Sequence, residues 1–295
     1  MKRIVQAALA TLVSFTWCVV ILEPFVCFSQ ALDKVSKSVV FLSHDYVETF
    51  SDKRGTFEVW LKQAGTNFFS PKLSSKAGTG FFMGRGGRLY LVTAKHVAVE
   101  LGFTESDTVT TGLENGMAAR IPLSLFRGTN AAGWLHHDKA DVSVLPLAPA
   151  LQVWQFLGDH FLDAYSFIRS TTNCPSRELT LTVVGFPLGL GIGWGREPGE
   201  SFAPLTRKTR ASSGFLEGAT FFLLEDPSVE GYSGAPVFDL GDPIMSPGGL
   251  FQGGRVTGCY GIISHTRGDN TGGKMAGVVP SKFILELVEK YETRH

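Results

Sequence analysis

GTGFFMGRGGRLYLVTAKHV, residues 78–97, decides how the rest of the chain is read. GFFM and LYLVTA are short apolar runs, and the GRGG between them supplies glycines able to take the positive φ of a tight turn. The stretch predicts a β-hairpin that delivers a histidine, His96, just past the end of its second strand.

Working outward from this hairpin, short strand-like runs dominate. VVFL (39–42) and FEVWL (57–61) lie upstream, and DVSVLPL (141–147) lies downstream, where Pro146 marks a strand end or edge. Residues 148–176 change character. Leu151, Trp154, Leu157, Phe161, Leu162 and Tyr165 recur at roughly helical spacing around Gly158, which predicts one or two short helical turns. Strand patterning then resumes in ELTLTVVGF (178–186), ATFFLLED (219–226), GAPVFDL (234–240), GRVTGCYGIIS (254–264) and GKMAGVVP (273–280). In the tail, Phe283, Ile284, Leu287 and Val288 share one face of a short amphipathic helix. The expected fold is all-β: two packed antiparallel barrels, 32–150 and 178–280, with a linker at 151–177 and a C-terminal helix at 281–295.

Composition narrows the function. The chain has 295 residues, 44% of them hydrophobic, with 34 glycines and 23 phenylalanines, a balance that suits short strands and tight turns better than a helical bundle. Lys+Arg and Asp+Glu both number 27 and form no basic tail, so nucleic acid is not an expected partner. The Gly-rich loop 185–195 lacks G-x-G-x-x-G spacing, so no dinucleotide cofactor is expected.

The first 31 residues stand apart. Lys2-Arg3 precede an uncharged run at 4–22, Glu23-Pro24 breaks it, and Ser29-Gln30-Ala31 places small residues at −3 and −1 of a cleavage site. This is the layout of a secretory signal peptide, and it predicts an exported chain beginning at Leu32. The alternative is a single membrane anchor, since 19 uncharged residues nearly suffice to span a bilayer. Of four cysteines, Cys174 and Cys259 lie in the mature part, where they are either paired or two buried thiols. With no C-x-x-C pattern, no metal is expected.

Three polar residues stand at strand ends. Ser233 sits in Gly231-Tyr232-Ser233-Gly234-Ala235-Pro236-Val237, where glycines let the chain curl so that the Gly231 and Ser233 N–H groups converge. His96 follows the apolar strand of the opening hairpin. Asp141 opens another apolar strand, and Asp138, in a more polar stretch, is its competitor. His136-His137-Asp138 is better read as a solvated loop than as a metal site. A serine hydroxyl needs a base to take its proton and a third group to orient that base. The order His–Asp–Ser differs from the Ser–Asp–His of α/β-hydrolases and from subtilisin-like order.

Taken together, these blocks resemble trypsin-like serine peptidases of the chymotrypsin family, most closely the bacterial HtrA/Deg branch. The likeness runs through Gly78-Thr79-Gly80-Phe81-Phe82 with Leu91–Val97, Ala140–Leu145, Val183–Gly189, Gly231–Val237, Gly258–Ser264 and Gly277–Ser281, over about residues 36–290. Tyr232 replaces the usual Asn or Asp and Ala235 a Gly. The resemblance implies a chymotrypsin-like fold and a serine endopeptidase acting on proteins or peptides without a cofactor. His96, Asp141 and Ser233 would form its triad, with the Gly231 and Ser233 N–H groups as oxyanion hole. It also implies a substrate-side-chain pocket with Pro227 at its base and Ser264, His265 and Thr266 along one wall. A pocket ending in Pro227 favours small or medium apolar side chains, the neighbouring Asp226 would favour basic ones, and His265, whose register sets it beside the pocket, would favour acidic ones. The branch's PDZ domains are not expected after the C-terminal helix. The other open reading is a protease fold kept as a catalytically silent binding module.

Overall fold

The structure is a computed structural model. It describes residues 32–294 except 54, 63–68, 114–115, 128–131, 150–152, 155–156, 159, 170–173, 193–200, 215–217, 219, 241–257 and 269–272. The segment read as a signal peptide or anchor lies outside the described residues.

Strands dominate, in two sheets. The first contains β1 (Val39–Val47), β6 (Leu73–Arg85), β7 (Arg88–Thr93), β8 (Asp107–Gly112), β9 (Ala118–Pro122), β10 (Leu135–His136), β11 (Ser143–Leu147) and β12 (Leu162–Asp163). Its order is β10-β11-β7-β6-β1-β8-β9, with β12 pairing β6 in parallel. Two short hairpins lead off it: β2 (Thr49–Asp52) with β3 (Gly55–Glu58), and β4 (Trp60–Lys62) with β5 (Phe69–Pro71). The sheet curls, and the Ala148 N–H beyond β11 meets the Phe126 carbonyl beyond β9 at 3.0 Å, drawing its outer edges together. The second sheet contains β13 (Leu181–Gly185), β14 (Leu205–Thr209), β15 (Phe222–Leu224), β16 (Pro236–Asp239), β17 (Gly258–Gly268) and β18 (Lys274–Pro280), ordered β14-β13-β16-β17-β18-β15. A bridge between Ala211 and Leu224 joins its two ends into a barrel.

The all-β class with a short C-terminal helix is therefore what the chain adopts. The reason its strands read as continuous apolar runs is also plain. Successive side chains of a strand point to opposite faces, and here both faces are buried. Val40, Leu42, Phe82 and Leu91 fill the first curled sheet, while their neighbours Val39, Phe81 and Val92 join a different core. Val183, Val237, Ile263 and Val278 fill the second sheet, while Val184, Phe238, Ile262 and Val279 join that same shared core. The shared core lies between the sheets and is capped by helix α2 (Ser281–Glu292) through Ile284, Leu285, Leu287 and Val288. Each fully buried side chain of this size contributes about 1.5–3 kcal/mol.

Helix α2 follows the last strand of the second sheet yet reaches back to the first. Glu292 pairs with Arg85 and accepts from the Tyr90 hydroxyl at 3.0 Å, and Glu289 pairs with Arg85 at 3.1 Å. Several expectations differ in detail. FEVWL is not one strand: the chain breaks at Val59, whose N–H turns to the Glu48 carbonyl at 2.8 Å. Within 148–176 helical backbone occurs at Val153, Trp154 and Leu157 and as a 3₁₀ turn at Ala164–Ser166, but Leu162–Asp163 becomes a strand because it can add to the Met83–Gly84 edge. Cys174 and Cys259 are free thiols. Cys259 is buried as expected but Cys174 is only half-buried, and burial pushes the Cys259 thiol up to about 12.

Candidate active site

His96, Asp141, Ser233 and Ser264 meet between the two sheets, the first two from the first sheet and the last two from the second. His96 lies in the first turn of a short helix, α1 (Lys95–Val99), entered directly from β7. Asp141 precedes β11, which pairs with β7 so that Ser143 lies opposite Thr93. Strand pairing thus carries the carboxylate to the histidine. Asp141 Oδ2 lies 2.8 Å from His96 Nδ1, and Asp141 Oδ1 accepts the His96 backbone N–H at 3.0 Å. Ser264 Oγ donates to Asp141 Oδ2 at 2.6 Å. Ser264 can do this because it is the extra residue of a β-bulge: the β17–β18 register shifts between Ile263 and His265. Burial opposes ionisation of Asp141, but the hydrogen bonds from His96 and Ser264 and the charge of His96 outweigh it and hold the carboxyl at about 2. Asp138 is oriented elsewhere. It is 87% exposed and faces Lys290 at 4.0 Å.

The serine turn is anchored to the opening hairpin. Thr79 N–H donates to the Ser233 carbonyl at 2.8 Å, and Thr79 Oγ1 donates to the Gly231 carbonyl at 2.6 Å. Gly231 and Gly234 have φ of +90° and +88°. A Cβ on Gly234 would run into the Thr79 carbonyl and the Thr93 hydroxyl, so this turn cannot carry another residue there without shifting. The Glu230 carbonyl is held by the Leu188 N–H at 2.6 Å. That turns the carbonyl of the Glu230–Gly231 peptide to one side and its N–H to the other. Among the described residues neither the Gly231 nor the Ser233 N–H bonds a backbone carbonyl.

The Ser233 hydroxyl does not bond His96. It donates to the Ser264 carbonyl at 3.3 Å. The structure therefore joins His96, Asp141 and Ser264 through side-chain hydrogen bonds and ties the serine hydroxyl to the Ser264 backbone.

The expected pocket residues divide. Pro227 lines a cavity together with Arg207, Asp226, Tyr232 and Ile263. Tyr232 and Ala235, the two departures from the resembled pattern, are both buried in the core of the second sheet with Val237. The Thr266 hydroxyl crosses to the Ser228 carbonyl at 3.0 Å. The His265 ring is not in the cavity: it packs on Gly277 and Phe221, with Nδ1 at 2.9 Å from Ser264 Oγ. Its neutral form is favoured, first by burial and then by Arg267. Two residues were not singled out by sequence. Thr79 lies inside a recognisable block, but its side-chain bond to the serine turn spans 152 positions. Arg207 lies in no motif. His136 turns to Ser143, and His137 and Asp138 turn to Glu286 and Lys290, one turn apart on helix α2.

No family model matches the chain, and no curated protein matches it. Among solved structures it is similar to the HtrA-type protease AlgW with decapeptide, with a TM-score of 0.49 and 14% identity over 89% of this chain and 66% of that one. A serine-to-alanine variant of AlgW with decapeptide gives a TM-score of 0.48 and 14% identity over 89% and 65%. The chain thus spans just under two thirds of the length of these structures.

Proposed function

We propose that this protein is a serine endopeptidase of trypsin-like type, related to the HtrA/Deg branch, that acts on peptides or proteins with His96, Asp141 and Ser233 as catalytic residues. The observation that carries the reading is the 2.8 Å bond between His96 Nδ1 and Asp141, made beside a serine turn clamped by Thr79. Ser233 Oγ bonds to a peptide carbonyl carbon while its proton passes to His96 Nε2. The tetrahedral oxyanion is met by the Gly231 and Ser233 N–H groups. Collapse breaks the C–N bond, and the amine leaves with the proton from His96. Water repeats the sequence on the acyl-enzyme and frees Ser233. Asp141 keeps the proton on Nδ1 and stabilises the imidazolium. No cofactor takes part.

One observation favours the second reading, a silent binding module: Ser233 bonds the Ser264 carbonyl and not His96. Catalytic hydrogen bonds often tighten only once substrate is bound. A fluorophosphonate probe separates the two readings. An enzyme bonds the phosphorus at Ser233 Oγ with loss of fluoride, and Ser233→Ala loses both labelling and hydrolysis, the latter by about 10⁴-fold or more. A folded protein that neither labels nor cleaves is a binding module.

The same reading includes export to the periplasm or the medium, with residues 1–31 removed. N-terminal sequencing of the exported protein should give Leu32. Met1 retained in a membrane fraction would instead make the segment an anchor.

A further inference from the structure

Beside the serine turn, on the side of the second sheet, lies a small cavity walled by Val183, Arg207, Asp226, Pro227, Tyr232 and Ile263. Tyr232 directly precedes Ser233. Ile263 directly precedes Ser264, whose carbonyl faces the Ser233 hydroxyl. The sequence resemblance sets the side chain of the attacked residue against Pro227, and Pro227 lines this cavity.

The cavity is almost full. Its free interior is about 10 Å³, on a measure by which one water needs about 10–15 Å³. Thr266, off the lining, holds the lining residue Ser228 by its carbonyl at 3.0 Å, and the side chain that takes up the space is Arg207. Arg207 enters from β14, opposite buried Val183, as an inward-pointing cation on an edge strand. Its guanidinium donates to the Pro227 carbonyl at 2.6 Å and pairs with Asp226 at 3.1 Å. A planar fork held at two points on one segment is a fixed plug and not a wandering surface charge. Buried Thr209 Oγ1, also on the lining, has no partner and offers a hydrogen bond to whatever enters.

We infer that Arg207 sets the substrate class of this site: it fills the pocket floor and neutralises Asp226, so that only small side chains, alanine and serine foremost, are accepted at the residue whose carbonyl is attacked. The inference rests on the endopeptidase reading. On this inference, a pocket with an aspartate beside its base does not select lysine or arginine. Removing the plug both opens space and uncovers the carboxylate.

The test is peptide-library profiling of wild type, Arg207→Ala and Arg207→Gln, each labelled in parallel with the fluorophosphonate probe. Wild type should favour Ala and Ser over Leu, Phe, Lys and Arg. Arg207→Ala should raise kcat/KM for Lys or Arg relative to Ala by on the order of tenfold or more. Arg207→Gln, which keeps a donor for the Pro227 carbonyl, should shift in the same direction by less, and it decides the matter if the alanine variant does not fold. Adding Asp226→Asn to either should abolish the gain. A wild-type preference for large or basic residues overturns the inference. So do folded, probe-labelled Arg207 variants with the wild-type profile. A wild type that neither labels nor cleaves removes the endopeptidase reading itself, a different outcome from active enzyme with an unchanged profile.

Discussion

The first sheet and its loops carry two histidine–aspartate pairs with the same Nδ1-to-carboxylate distance, 2.8 Å: His44 with Asp107, and His96 with Asp141. They differ in what else the carboxylate holds. Asp107 is fully buried, and its other oxygen accepts from the Gly102 N–H, the Thr104 N–H and the Thr104 hydroxyl. All of these lie within five residues of it, so that carboxylate ties down its own loop. Asp141 gives its remaining capacity to the His96 backbone and to Ser264, which comes from the other sheet. Its histidine is half-exposed beside a serine turn, whereas His44 stacks on Tyr46. Histidine–aspartate geometry alone therefore does not define a site. The partner across the sheet interface does.

The contrast is broken most forcefully by removing the charge from each carboxylate. Asp141→Asn should lower kcat by about 10⁴-fold, because an amide can donate to Nδ1 and so fix the wrong imidazole tautomer. The melting temperature should move little by comparison. Asp107→Ala should do the reverse. It strands several buried donors at once and should cost about 3 kcal/mol in chemical denaturation, while the rate per folded, probe-labelled molecule stays near wild type. Equal activity losses in the two variants would erase the distinction drawn between the pairs.

A smaller effect sharpens the role of the sheet interface. Ser264→Ala removes one of the donors to Asp141 but leaves the His96 bonds in place. One charge-assisted hydrogen bond is worth about 1.5–3 kcal/mol, so kcat should fall by roughly 10- to 100-fold with KM little changed. A structural role alone would lower the melting temperature without that split.

Much of this arrangement was visible in the chain itself, and the reason is local. The opening hairpin announces itself because its two strands are adjacent and Gly86-Gly87 is the turn. Ser233 announces itself because Gly231 and Gly234 occupy backbone conformations that other residues avoid. The helix at the C-terminus shows a single apolar face. Arg207 was not visible, since its partners Asp226 and Pro227 come from a distant loop and β14 carries no motif around it. The tie between Thr79 and the serine turn was hidden for the same cause. Strand extents were also underestimated. The apolar core of the first hairpin strand is four residues, but β6 runs from Leu73 to Arg85 because β1 pairs with it along its polar half.

The smallest effect concerns acid stability. The Asp141 carboxyl lies at about 2 in the folded protein against an ordinary 3.8. The folded state therefore favours the ionised form, and this contribution is fully present above the unfolded value. It fades as pH falls from about 4 toward 2, where both states become protonated. Part of the site is open to solvent, since the Asp141 and His96 side chains are 30% and 51% exposed, so screening reduces the contribution to on the order of 1–2 kcal/mol. Denaturant unfolding at pH 6 and at pH 2.5 measures the loss, and Asp141→Asn should shrink it by about that amount because the amide does not titrate. Ser264→Ala should shrink it by less, having removed only one of the bonds that stabilise the charge. A loss identical in wild type and Asp141→Asn would mean that the carboxylate's bonds to His96 and Ser264 orient the site without stabilising the fold.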